Sequence, residues 1–196
     1  MIPLTLEKIA TIVGGKAYGD KTQVITSAPV FDSRQAKAGS LFLALIGENT
    51  DGHNFSSDAF SNGAVLALTT QVVEQPCVVV SDVMQAVADL AKFVRVQLAD
   101  LTVIGITGSQ GKTTTKDLLN YILSSAGETV APKGSFNNEL GVPLTILECN
   151  EQTKYCIVEM GARHIGDIAS LCEIAKPNIG AVLKVGNAHI GEFGSR

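Results

Sequence analysis

The apolar stretch Leu101-Thr102-Val103-Ile104-Gly105-Ile106 runs directly into Thr107-Gly108-Ser109-Gln110-Gly111-Lys112-Thr113-Thr114, and a helical pattern follows from Lys112 to Ser125. A buried strand, a glycine turn and a helix in that order form one arm of a parallel βα unit, so α/β architecture is expected. A strict phosphate-loop string requires glycine at position 106, where this chain has Ile106, but the working end Gly111-Lys112-Thr113 is intact. Glycines let the backbone curl so that several N–H groups point at one phosphate, and the helix N-terminus adds about half a positive charge. A cation is disfavoured in that first turn, so Lys112 calls for a compensating anion; an ordinary glycine turn leaves it unexplained. Nucleotide phosphate is therefore expected on Gly108, Ser109, Gln110, Gly111, Lys112, Thr113 and Thr114, with the Thr113 hydroxyl placed to ligate Mg²⁺.

The pattern on either side places this unit second of two. Leu4 to Val13 reads as a helix closed by Gly14-Gly15, and Leu41 to Ile46, Ala64 to Leu68 and Cys77 to Val80 read as buried strands. Phe55 to Asn62 predicts a short helix, and Met84, Val87, Ala91, Val94 and Leu98 predict a longer one. The strand-helix pattern then restarts, which puts the boundary near Ala99-Asp100, with domains 1–99 and 100–196. In the second domain Leu118, Leu119, Ile122 and Leu123 are expected to form the inward stripe of the helix after the loop. Strands are expected at Glu128 to Ala131, Tyr155 to Glu159 and Ile179 to Val185, with helices at Gly141 to Glu148 and Ile165 to Ala175. The chain stops at Gly194-Ser195-Arg196 after a strand and a polar turn, so this domain is expected to be incomplete.

Composition narrows the function classes. With 45% apolar and 17% charged residues and a net charge of −4, the chain is globular and offers no electrostatic footprint for nucleic acid. The longest apolar run, Leu41 to Ile46, falls far short of the roughly 20 residues a membrane helix needs, and the N-terminus lacks the pattern of a signal peptide. A monomer in the cytoplasm is expected. Cys77, Cys149, Cys156 and Cys172 show no metal-ligand spacing and are expected to be free thiols, at least partly buried. Glu159 ends a predicted strand, on the side where α/β sheets bind ligands, and is a candidate magnesium ligand against the alternative of an exposed strand-end acid.

Further motifs follow the loop in order. Gly134-Ser135-Phe136-Asn137-Asn138-Glu139-Leu140-Gly141-Val142-Pro143-Leu144-Thr145, then Val158-Glu159-Met160-Gly161-Ala162, then Ala188-His189 resemble the second, third and fourth signatures of the Mur ligases, the ATP-dependent amide-forming enzymes of peptidoglycan synthesis. The TGxxGKT loop is likewise their variant. Phe31-Asp32-Ser33-Arg34, Gly39 to Leu45, Gly47 and Asp51-Gly52-His53 are similar to a uridine-nucleotide-binding domain found in this family. One departure is Lys184, at a position where the family carries asparagine. Family members also continue past residue 196, through the rest of the ATPase domain and a C-terminal domain.

The resemblance implies a small N-terminal α/β domain for the uridine nucleotide and a parallel-sheet ATPase domain. The Asn-Asn-x-x-Gly-x-Pro form implies UDP-N-acetylmuramoyl-tripeptide and D-alanyl-D-alanine as substrates, with ATP as co-substrate and Mg²⁺. The carboxylate of the tripeptide would attack the γ-phosphate, and the amine would displace phosphate from the acyl phosphate; no nucleophilic Ser or Cys is needed. By the same resemblance Lys112, Asn137, Asn138 and His189 would act in catalysis, and Thr113, Glu159 and His189 would hold metal. From the residues alone, Asn137 and Asn138 serve equally as helix caps. Phe31, Ser33, Arg34, Glu48, Asn49, Thr50 and His53 would meet the UDP-linked substrate, although Arg34 is as well placed to pair with Asp32. His164 is expected to be a surface histidine. A small P-loop kinase or NTPase accounts for the loop but not for Asn137-Asn138 with Gly141 and Pro143. A third reading is a fragment that binds the UDP-sugar peptide without catalysing ligation.

Overall fold

The computed structural model describes residues 1–186. The chain divides into two compact units, Met1–Leu90 and Ala91–Arg196.

In the first unit β1 (Leu4–Thr5) leads into α1 (Leu6–Val13), where the Thr5 side chain accepts from the Lys8 N–H and caps the helix. Gly14 ends it in the left-handed region at φ 61°. The strands β2 (Lys16–Tyr18), β3 (Val24–Ile25), β4 (Ser27–Val30), β5 (Ser40–Leu43), β6 (Ala64–Thr69) and β7 (Cys77–Val79) follow, with α2 (Ser56–Ser61) between β5 and β6. Five of them form a sheet in the order β2-β7-β6-β5-β4. β4 to β7 pair in parallel and β2 joins antiparallel, while β1 and β3 form a separate antiparallel pair. All of β5 and nearly all of β6 are buried, which is why those segments read as unbroken apolar runs. β2, β3 and β4 escape the sequence reading because they are short, half-exposed and without alternation. The apolar run after Ser40 leaves the sheet at Leu43, and Ile46 pairs only with Asp51 across a turn.

The division between units falls within α3 (Val83–Gln97). The second unit then runs β8 (Thr102–Thr107), α4 (Lys112–Leu123), β9 (Glu128–Val130), α5 (Gly141–Glu148), β10 (Thr153–Glu159), α6 (Asp167–Ala175) and β11 (Ile179–Val182). Its four strands are all parallel, in the order β11-β8-β10-β9. The register sets Glu159 opposite Ile106, so the two central strands end together. Ile104, Ile106 and Ile157 form the core beneath α4, packed by Leu119, Leu123, Ala131, Ala181 and Leu183.

α4 and α6 depart from the sequence expectation. Leu118 and Ile122 do not face inward; each is 59% exposed. Successive helical residues turn by about 100°, so Leu119 and Leu123 share one face with Lys112 and Lys116, and the inner stripe carries two lysines. α6 begins at Asp167, not Ile165, because the Asp167 carboxylate accepts from the N–H groups of Arg163 and His164 and holds the preceding residues in a turn. Cys77, Cys149 and Cys156 are buried and Cys172 is partly buried, all of them free thiols.

A buried guanidinium closes the second unit at its base. Arg95, near the end of α3, donates to the carbonyls of Leu98, Ala175 and Lys176 and to Asn178 Oδ1, at 3.0–3.2 Å. It satisfies the C-terminal carbonyls of α6 where the chain turns into β11. Arg95→Met is expected to lower stability by about 2–3 kcal/mol through those unpaired acceptors, read as a reduced midpoint in urea unfolding.

Candidate functional site

The C-terminal ends of β8, β10 and β11 converge on a cleft of about 1180 Å³ within the second unit. It is lined by Gly108, Ser109 and Lys112 of the loop, by Ser135 to Leu140, and by residues that follow β10. Gly108 (φ 140°) and Gly111 (φ 88°) hold backbone conformations that side chains disfavour, which is the reason the loop needs glycine at both ends. Gly111 precedes α4 without a side-chain cap, leaving the N–H groups of the first turn available to an anion. Lys112 Nζ donates to the Gly108 carbonyl at 2.6 Å, so the ammonium lies over its own loop. Gln110 and Thr114 are exposed.

Residues 183–186 brace this loop. The Leu183 N–H donates to the Thr107 carbonyl, the Ser109 N–H donates to the Lys184 carbonyl at 2.8 Å, and the Gly186 N–H donates to Ser109 Oγ. Lys184 acts through its backbone, which any residue supplies, so lysine in place of asparagine leaves this contact intact. His189 lies outside the described residues.

Glu159 is fully buried, so the alternative of an exposed strand-end acid is excluded. Its Oε2 accepts from Thr113 Oγ1 at 3.3 Å and Ser135 Oγ at 3.4 Å, and Oε1 has no hydrogen-bond partner among the described residues. A buried carboxylate with one bare oxygen and hydroxyls beside the other suits a hard divalent cation. Among the described residues there is no cluster of three or more His, Cys, Asp or Glu side chains.

The two asparagines divide their roles. Asn137 Nδ2 donates to Ser135 Oγ at 3.1 Å, and its carbonyl accepts from the Gly161 N–H at 2.7 Å. Asn138 Oδ1 accepts from the Gly141 N–H and its carbonyl from the Val142 N–H, so Asn138 caps α5. A Cβ on Gly141 would come within 2.5 Å of the Phe136 carbonyl carbon, so glycine is required for the loop to fold back on the helix. Ser135 and Lys116 were not among the sequence candidates. Ser135 lies inside the asparagine motif, and Lys116 is one helical turn beyond Lys112.

In the first unit the candidates follow the C-terminal ends of the neighbouring parallel strands β4 and β5. Phe31 is exposed and Ser33 buried. Arg34 pairs with Asp32 through Nε (2.9 Å) and Nη2 (2.8 Å), and this contact holds the Asp32 carboxyl below its ordinary range. Glu48, Asn49 and Thr50 form an exposed turn. His53 is buried; its Nε2 accepts from the Thr70 N–H at 3.0 Å, so the proton resides on Nδ1, which faces Asp51 Oδ1 at 2.6 Å. Nε2 thus ties the loop after β5 to the loop after β6, while Nδ1 braces the first of these loops from within.

Asp167 offers a pH test at the cleft. The N–H groups of Arg163 and His164 hold its carboxyl below the ordinary range, so the turn is stabilised above the unfolded pKa and loses this as pH falls through the lower folded value. Amide exchange at Arg163 and His164, corrected for intrinsic rate, is expected to accelerate on acidification in this window. Asp167→Asn is expected to remove the pH dependence.

Residues 106–196 match the Mur ligase middle domain, and residues 30–102 match the Mur ligase family catalytic domain. All of the chain aligns at 46% identity with the UDP-N-acetylmuramoyl-tripeptide–D-alanyl-D-alanine ligase of Mycobacterium tuberculosis, and at 35% identity with that of Escherichia coli. It covers 44% and 43% of those relatives, so it spans less than half their length. A crystal structure of MurF from Acinetobacter baumannii superposes on 99% of this chain and 44% of that one, with TM-score 0.87 and 37% identity. MurF ligase from Thermotoga maritima in complex with ADP matches 87% of this chain and 40% of that one, at TM-score 0.74 and 35% identity. With both family domains in order along an α/β scaffold shared with solved members, the chain belongs to the Mur ligase family.

Proposed function

We propose that this chain forms the substrate- and nucleotide-holding part of an ATP-dependent ligase that joins D-alanyl-D-alanine to UDP-N-acetylmuramoyl-tripeptide. Residues 1–99 hold the UDP-linked peptide, and residues 100–196 hold ATP. The observation that carries this reading is the meeting of Lys112, Thr113 and the buried Glu159 at the ends of two parallel strands. A carboxylate is a poor electrophile at neutral pH and must be activated before an amine can displace anything from it. Attack by the peptide carboxylate on the γ-phosphate gives an acyl phosphate and ADP; the amine then expels phosphate through a tetrahedral intermediate.

Such transfer depends on positioning and charge neutralisation. The Gly108–Thr114 backbone cradles the phosphates, and the Lys112 ammonium turns from the Gly108 carbonyl to the outer phosphate oxygens. Glu159 and the Thr113 hydroxyl would hold Mg²⁺, which would neutralise charge on the phosphates. Asn137, held by Gly161 and Ser135, borders the space for the reacting groups. Asn138 acts in this reading through the α5 cap. In the first unit, Phe31 and the Glu48–Thr50 turn present free surface to the uridine nucleotide, while His53 shapes the loops. Arg34 meets the UDP phosphates by exchanging its partner Asp32 for them. His189 completes the metal set by family pattern. Both nucleotide co-substrates place the reaction in the cytoplasm; no helix among the described residues is long and apolar enough to cross a membrane.

Calorimetric titration tests each part. ATP with Mg²⁺ is expected to bind, and Lys112→Ala to weaken it by about 10–100-fold through loss of a charge-assisted contact. Glu159→Gln is expected to abolish the gain in affinity from Mg²⁺ while leaving metal-free nucleotide binding in place. UDP-N-acetylmuramoyl-tripeptide is expected to bind without ATP; no heat of binding with either ligand would refute the reading.

A further inference from the structure

Lys116 is buried within the second unit, its side chain only 5% exposed, and it touches none of the groups assigned above to phosphate or metal. Burying an ammonium is costly unless each of its three donors finds an acceptor. Here Nζ donates to the Pro132 carbonyl at 2.8 Å and reaches the Gly134 carbonyl at 3.4 Å and Asp117 Oδ1 at 2.9 Å. Two of these partners open the loop that carries Ser135, Asn137 and Asn138. The far end of that loop is fastened separately, by Asn138 on α5 and by the Gly161 N–H on the Asn137 carbonyl. At the near end Lys116 is the side-chain clamp among the described residues. The next residue after Gly134 is Ser135, whose hydroxyl lies against Glu159 Oε2 and also accepts from Asn137.

We propose that Lys116 is a positioning residue: its ammonium ties α4 to the start of the asparagine loop and so sets Ser135 beside the Glu159 carboxylate. α4 thereby carries Lys112 and Thr113 toward the nucleotide on one turn and indexes the opposing loop on the next. A neutral or shorter side chain leaves the loop's far end in place but frees Ser135, so the carboxylate loses one of the two hydroxyls that orient it. This inference rests on the reading of Glu159 as the holder of Mg²⁺.

The test pairs amide hydrogen exchange with calorimetric ADP titrations, in Mg²⁺ and in chelator, on the unmodified chain and on Lys116→Met, Lys116→Arg and Ser135→Ala. In Lys116→Met, exchange is expected to accelerate at residues 133–135 and to stay unchanged in β8 and β10. ADP affinity in chelator is expected to hold within about twofold, while the gain in affinity from Mg²⁺ falls by about 10–100-fold, as for other residues that orient a metal ligand. Ser135→Ala is expected to reproduce that loss, the double variant to be no worse than either single one, and Lys116→Arg to restore much of the gain. An intact Mg²⁺ gain in Lys116→Met would overturn the proposal, whether or not the loop exchanges faster. So would accelerated exchange throughout the second unit in both lysine variants, which would make Lys116 a general stabiliser. Absence of ADP binding by the unmodified chain would instead count against the proposed function, and exchange at 133–135 would still decide whether the tether exists.

Discussion

A fully buried carboxylate governs the second unit. Removing Glu159 from water costs several kcal/mol unless its charge is met, and the Thr113 and Ser135 hydroxyls meet only one of its oxygens. That imbalance is what the proposed divalent cation would relieve. The β8–β10 register brings the carboxylate level with the end of the strand that launches the phosphate loop. α4 then supplies the nearer hydroxyl, and the loop between β9 and α5 supplies the other.

This arrangement relies on backbone groups as much as on side chains. The phosphate loop is braced by the Lys184 carbonyl and the Gly186 N–H, and the asparagine loop by the Gly161 N–H. Gly141 is needed for the space it leaves, since Phe136 occupies the position a Cβ would take. Motif residues therefore divide into those that would face a ligand and those that let the chain pass close to itself. Asn137 and Asn138, adjacent in sequence, fall on opposite sides of that division.

The first unit follows the same plan with different chemistry. Its candidate residues also lie where parallel strands end, but much of their polar capacity is already committed. His53 joins two loops through Nε2 and binds its own loop through Nδ1, and Arg34 forms a bidentate pair with Asp32. Phe31 and the Glu48–Thr50 turn retain exposed surface.

Local pattern alone determined that this is an α/β chain with a glycine turn between a buried strand and a helix, because strands buried on both faces and glycine turns leave signals that need no distant partner. α5 is legible to the residue for the same reason, and the ordered motifs were enough to point to the family. Tertiary structure alone decided which side chains those motifs expose. Leu118 and Leu119 are equally apolar, but only the second reaches the core once α4 is docked. Lys116 is buried only because the fold brings the Pro132 and Gly134 carbonyls to it. Glu159 changed from a strand-end acid to a buried, half-satisfied carboxylate only because β8, β10 and the asparagine loop enclose it. Burial and partnership depend on segments distant along the chain, and no local spacing encodes them.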